Sequence, residues 1–326
     1  MEAGKGPVLV TGGTGYIGSW LIFRLLDQGY SVRTTVRANS RHKKDLSFLK
    51  SLPGASERLE IFDADLDNPK SFVAAIEGCT GVFHVATPLD FGNKESTEIV
   101  IKRSIDGAIG ILQASLDSKT VKKVVYTSSS VTVLFNGKDL DEMDESFWTD
   151  IDYVNSLNSH VSCYLISKTL TEKAILNFSE KHGLDVATLI LCYISGPFIC
   201  PEIPRSVVSV FEMIVGNKSE SNTLTRFDTA HVDDVARAQI FLFENPKAKG
   251  RYNCSANIIE VESTAKLLST KYPGLKFPCK GSQIIMKADW PSLSSKKLIE
   301  SGFQYKYGVE EMFDDAVKSS KEKGYL

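Results

Sequence analysis

Over the first 190 residues, short apolar runs alternate with stretches of helical periodicity. Residues 7–10, 31–36, 59–62, 81–85, 121–126 and 186–191 are rich in β-branched and apolar side chains, which predicts strands. Between them, residues 16–28, 69–76, 100–116 and 159–181 repeat apolar positions with a helical period and predict helices. This alternation predicts an α/β fold, a doubly wound parallel sheet covered on both faces. The gaps between strands are long enough for the crossovers that parallel pairing requires. After Gly196 the rhythm changes. Pro197, Pro201 and Pro204 fall close together, and helices then outnumber strands. The expected organisation is a first domain over 1–190 and a smaller mixed α/β domain over 191–326. Residues 228–245, with a helix from 231 to 244, are expected to pack back on the first. Residues 309–323 read as an amphipathic helix whose charged end faces solvent.

The first strand runs into Thr11-Gly12-Gly13-Thr14-Gly15-Tyr16-Ile17-Gly18, which opens the first helix. Glycines at this junction allow a tight turn, let the backbone approach a pyrophosphate, and let helix pack on strand. The helix start offers unpaired N–H groups and the positive end of a dipole to phosphates. At a strand–helix junction of a βαβ pattern this is the Rossmann dinucleotide signature. Gly12, Thr14, Gly15, Tyr16, Ile17 and Gly18 are therefore candidate cofactor contacts. NAD sites carry an acid at the end of the second strand, for the ribose hydroxyls. Here the sequence reads Thr34-Thr35-Val36-Arg37, then Arg41-His42-Lys43-Lys44. An arginine there holds a 2′-phosphate by charge-assisted bonds, so the expected cofactor is NADPH. Asp65, after the third strand, is placed to accept from an adenine amino group.

Tyr164-Leu165-Ile166-Ser167-Lys168 lies near the start of a predicted helix, and positions four apart share a face. A tyrosine there can act as a general acid, and a cation beside it lowers its pKa from about 10. Tyr126-Thr127-Ser128-Ser129-Ser130 ends the fifth predicted strand, at the carboxyl edge where such sheets bind ligands. A serine hydroxyl there can polarise a carbonyl.

Composition narrows the field. Of 326 residues, 42% are hydrophobic and 24% charged, an ordinary globular balance. With 38 basic against 40 acidic residues the net charge is −2, too little to hold nucleic acid. No run reaches the roughly 20 apolar residues of a membrane-spanning helix, and residues 1–6 have no apolar core of a secretory signal. Cys79, Cys163, Cys192, Cys200, Cys254 and Cys279 are scattered without metal-site spacing, as reduced thiols in the cytoplasm would be. The expected partner is a small-molecule substrate, with a monomer as one open outcome for assembly.

The chain resembles the extended short-chain dehydrogenase/reductases, and within them the plant group of dihydroflavonol, anthocyanidin and vestitone reductases. The carrying residues are 11–18, His84-Val85-Ala86-Thr87-Pro88, 126–129, 164–168, His231-Val232-Asp233-Asp234-Val235-Ala236 and Gly250-Arg251-Tyr252-Asn253-Cys254-Ser255. Residues 141–145, 167–172, 312–316 and 321–326 look most like the vestitone reductase pattern. The resemblance implies a triad of Ser129, Tyr164 and Lys168, with Arg37 and Lys44 facing the 2′-phosphate. It places Leu66, Val85, Ala86, Thr87, Thr127 and Ser128 with Tyr164 and Lys168 along the cofactor. Pro88, Ser129, Leu134, Tyr164 and Asp228 then face the substrate under the second domain.

Three positions depart from the dihydroflavonol reductase pattern. Leu134 stands where that pattern has Asn, Asp228 where it has Gln, and residues 191–195 lack its Pro. The implied activity is NADPH-dependent reduction of a ketone on a plant specialised metabolite, of isoflavanone type. Alternatives are an NADP-dependent alcohol or hemiacetal dehydrogenase of alkaloid metabolism, similar to noscapine synthase, and a dinucleotide-binding protein without catalysis. A carboxylate at Asp228 suits a cationic or hydroxyl-rich partner in an apolar pocket.

Overall fold

The apolar runs become a parallel sheet. Its strands are β1 (Lys5–Thr11), β2 (Tyr30–Val36), β3 (Leu59–Asp63), β4 (Gly81–His84), β5 (Lys123–Ser129), β7 (Asp185–Leu191) and β10 (Gly250–Cys254). Their spatial order is β10-β7-β5-β4-β1-β2-β3, and every neighbouring pair is parallel. The structure, a computed structural model, describes residues 5–37, 45–88, 95–157, 159, 161–215, 224–274 and 290–326.

Alternation along β1 divides two cores. Val8 and Val10 meet the helix Tyr16–Asp27 through Leu21, Ile22 and Leu25, and the helix Val232–Glu244 through Val235 and Ile240. Leu9 faces the opposite side, where Ile111 and Leu112 of the helix Thr97–Ser118 and Ile175 and Phe178 of the helix Ser162–His182 cover the sheet. Burial on both faces explains why β4 and β7 read as nearly unbroken apolar runs. Each fully buried Leu, Ile or Phe side chain contributes about 1.5–3 kcal/mol.

The smaller sheet runs β11-β9-β8, with β8 (Tyr193–Ser195), β9 (Arg226–His231) and β11 (Asn257–Glu260). Helices Arg205–Val215, Val261–Lys271 and Val309–Glu322 bury Val210, Phe211, Leu268, Met312 and Phe313 against it. Two short strands, β6 (Glu142–Met143) and β12 (Ser292–Leu293), pair beside the larger sheet.

The single boundary expected at residue 190 is too simple. The chain leaves the first unit at Cys192, between β7 and β8, but comes back. The helix Val232–Glu244 packs against Tyr16–Asp27, as expected, and β10 then adds the edge strand beside β7. Residues 250–254 thus belong to the larger sheet. Among the described residues no disulfide forms, and Cys79, Cys192, Cys200 and Cys254 are thiols. No described helix is long and apolar enough to cross a membrane.

The strand order reverses between β1 and β4, which opens a crevice at their carboxyl ends. Register places Thr11 opposite His84, and His84 opposite Tyr126, along that edge.

Candidate active site

Close packing at the glycine loop leaves no room for side chains. Gly12 has φ +73°, and a Cβ on it would lie 3.0 Å from the Ala86 backbone. A Cβ on Gly13 would meet Thr34 Oγ1 at 2.0 Å, and one on Gly18 the Gly12 carbonyl oxygen at 2.4 Å. Gly15 N–H donates to that same oxygen (3.0 Å) and closes the turn. The helix Tyr16–Asp27 then starts with no side-chain cap and no acid in its first turn. Its open N–H groups and dipole face an anion's position. The cradle fits a dinucleotide pyrophosphate.

Thr11 joins this loop to the next one. Its Oγ1 accepts from the Val85 and Ala86 N–H groups (both 3.1 Å) and donates to His84 Nδ1 at 2.9 Å. Burial, and then the Lys168 charge, push the His84 pKa down to about 3, so the ring is neutral and can accept. Val85, Ala86, Thr87 and Pro88 leave β4 from this staple and border the crevice.

At the other end of the crevice, Arg37 follows β2 and is exposed. Lys44 lies outside the described residues. Asp65 accepts the Asp67 N–H (3.1 Å), while its own N–H donates to Ser71 Oγ at 2.9 Å. Leu66, in the same turn, packs on Gly107, where a Cβ would come within 3.1 Å of it.

Ser129 ends β5, and its hydroxyl is hydrogen-bonded to Tyr164 in the first turn of the Ser162–His182 helix. One turn on, Lys168 is only 4% exposed. Its Nζ donates to Thr127 O (2.8 Å), Tyr126 Oη (3.0 Å) and Thr87 Oγ1 (3.4 Å). Burial pulls the Lys168 pKa down to about 8, against the support of the Glu172 charge. The sequence expectation that Lys168 lowers the Tyr164 pKa is corrected. Burial raises Tyr164, and the Ser129 hydrogen bond offsets only part of that. The ammonium is held instead by Tyr126, Thr127 and Thr87.

Leu134 bridges two apolar clusters, one with Val133, Met143 and Leu293, the other with Phe135, Tyr164 and Trp290. Leu134 and Tyr164 thus border the same apolar cluster. Asp228 departs from expectation. Phe227 turns into the core under the smaller sheet, so its neighbour on β9 turns the other way. There the Asp228 oxygens accept from Ser255 Oγ (2.9 Å) and Leu293 N–H (3.2 Å). The carboxyl borders a cavity of about 590 Å³ lined also by Glu142, Asn257 and Lys296, with neither Leu134 nor Tyr164 in its wall. Burial raises its pKa to about 6.

Residues 8–255 match the NAD dependent epimerase/dehydratase family. The chain belongs to that family. It is thus an extended short-chain dehydrogenase/reductase, as its sequence pattern implies. It is 53% identical to a vestitone reductase of Medicago sativa across 100% of both chains. The crystal structure of the alfalfa vestitone reductase matches with a TM-score of 0.87 at 52% identity, covering 99% of this chain and 100% of that one. A noscapine synthase of Papaver somniferum is 46% identical, covering 100% of this chain and 95% of that protein. A dihydroflavonol 4-reductase of Callistephus chinensis is 42% identical, with 98% and 87% covered.

In this member of the family, side chains outside the triad support the edge of the sheet. Ser128 faces away from the crevice, its hydroxyl donating to Glu172 Oε2 (2.6 Å), so only its backbone remains for a cofactor. The Thr127 hydroxyl is likewise engaged, accepting from Gln239 Nε2 at 2.7 Å. Glu172 follows Lys168 by four residues on the same helical face, a spacing that could have marked it. Its partner Arg251 lies in the 250–255 segment that carries the family resemblance.

Proposed function

We propose that the protein reduces the ketone of an isoflavonoid-type substrate with NADPH, interconverting a C=O and a CH–OH group. The observation that carries the chemistry is the Ser129–Tyr164 hydrogen bond beside buried Lys168, at the carboxyl edge of a sheet with an uncapped glycine loop. The substrate class rests on the whole-chain similarity to vestitone reductase. Bound in the crevice, NADPH supplies the hydride. Ser129 holds the carbonyl oxygen, and Tyr164 delivers the proton to it as charge develops. Lys168 keeps a positive charge beneath them. Its longest bond, to Thr87, is the one most readily exchanged for a nicotinamide ribose hydroxyl.

Arg37 is assigned to the 2′-phosphate. In Arg37→Ala, each lost charge-assisted bond should cost about 1.5–3 kcal/mol. NADPH affinity is expected to fall at least about tenfold, with NADH affinity little changed. Titrating both cofactors measures this, and an equal loss for the two would overturn the assignment.

The substrate is tested by a panel of isoflavanones, dihydroflavonols and alkaloid hemiacetals in both redox directions. A substrate hydroxyl buried against Leu134 goes unpaired at a cost of about 1–3 kcal/mol. Dihydroquercetin is therefore expected to be a poor substrate and an isoflavanone a good one. The reverse ranking would refute the role given to Leu134. Oxidation of an alkaloid hemiacetal is a second reading, favoured by the similarity to noscapine synthase. Preferential NADP⁺ reduction in the same panel would select it.

A further inference from the structure

We propose that Glu172 and Arg251 form a positioning pair that holds the β5 edge, the Tyr164–Lys168 helix and the loop after Ser129 in one register. Glu172 is fully buried. Its Oε2 accepts from Ser128 Oγ of β5 (2.6 Å), and its Oε1 from Thr188 Oγ1 of β7 (2.7 Å) and Arg251 Nε of β10 (3.0 Å). One carboxylate on the helix of Tyr164 and Lys168 thus fastens three adjacent strands. Arg251 is 7% exposed. Its Nη1 donates to the carbonyls of Glu145 (2.7 Å) and Phe147 (2.6 Å), and its Nη2 to Thr132 Oγ1 (3.1 Å) and Thr132 O (3.4 Å). All the guanidinium donors are therefore engaged. The Trp148 ring lies 3.6 Å from its central carbon. This segment begins directly after Ser129 and carries Leu134.

A buried ion pair is a poor device for stability alone. Desolvation cancels most of its attraction, and apolar replacements of similar volume are often neutral or better. The placement of this pair gives it another use. Ser128 precedes the residue that bonds Tyr164, and Glu172 follows Lys168 on the same helical face. The titratable groups that face Lys168 are Tyr126 of β5, neutral His84 of β4 and Glu172 of its own helix. Burial raises Tyr126, and the ammonium is supported by the carboxylate of Glu172. Arg251 lies beyond it.

The inference rests on the assignment of Tyr164 and Lys168 above, and its test has one arm that needs no ketone. NADPH affinity against pH is measured for the wild type and Glu172→Gln. The variant is expected to lose affinity about one pH unit earlier, because a nearby opposite charge no longer favours protonated Lys168. With the isoflavanone, kcat is expected to fall at least about tenfold while the ketone KM changes little, as small misplacements do. Glu172→Met with Arg251→Met removes both charges, and its thermal melting is expected to stay near the wild type. A double variant that melts like the wild type and also keeps its kcat and pH limb would show a purely structural pair. Ser128→Ala removes one hydroxyl without stranding a charge and is expected to lower kcat several-fold. An unchanged kcat there would also overturn the proposal. An inactive wild type with an intact pH shift would count against the ketone, not the pair.

Discussion

Tyr164→Phe is expected to leave a folded protein that binds NADPH but turns over at least about a hundredfold more slowly, the low end for a positioned acid. The ring belongs to an apolar cluster with Phe135, Leu165 and Ile166, and phenylalanine keeps those contacts. Only the hydroxyl goes, and with it the hydrogen bond to Ser129. Burial raises the Tyr164 pKa, which keeps the proton on the phenol at neutral pH and available for transfer. The variant is checked by thermal melting, NADPH fluorescence titration and single-turnover reduction. Near-normal turnover in a folded variant would move the acid to another residue. Neighbouring Tyr126 is the alternative to inspect, but its Oη already accepts from Lys168 at 3.0 Å.

The sequence disclosed what depends on local spacing. The glycine loop, the Tyr164–Lys168 pair and the six apolar strands are each set by residues within one element, and their boundaries hold to within a few positions. β10 escaped because its residues, Gly-Arg-Tyr-Asn-Cys, show no apolar run. Its buried polar side chains take partners far along the chain: Arg251 donates to Glu172, and Asn253 Nδ2 to Ser294 O at 3.0 Å and Met143 O at 3.3 Å. Tertiary hydrogen bonds of this kind make a buried strand from a sequence that reads as a loop. The same cause hid the second crossing of the chain between its two units. Asp228 illustrates the opposite failure. Its position along the sequence was right for a pocket, but the face it presents is decided by the pairing of β9 with β11, which places Asp228 opposite Ile258.

A pH profile gives the second large effect, because Lys168 is a buried cation with a pKa near 8. Below that value the ammonium donates to Thr127, Tyr126 and Thr87 and supplies positive charge beneath the reacting oxygen. Above it the amine has no charge to favour transfer of the Tyr164 proton or to hold a ribose hydroxyl strongly. Turnover is therefore expected to fall as pH rises through about 8. Stability should follow the other sign. The folded pKa lies below the ordinary lysine value, so above pH 8 the unfolded chain binds more protons than the folded one. The Lys168 contribution to stability then rises with pH, since the cost of burying a charge is relieved. Between about pH 8 and 9, below the ordinary tyrosine range, activity should drop with no fall in melting temperature from this group. Lys168→Met removes the charge at every pH. It is expected to lose at least about a hundredfold in turnover and about tenfold in NADPH affinity, the equivalent of one charge-assisted bond. What little activity remains should show no limb near pH 8. Wild-type turnover that stays flat to pH 9 while the fold persists would remove Lys168 from the reaction.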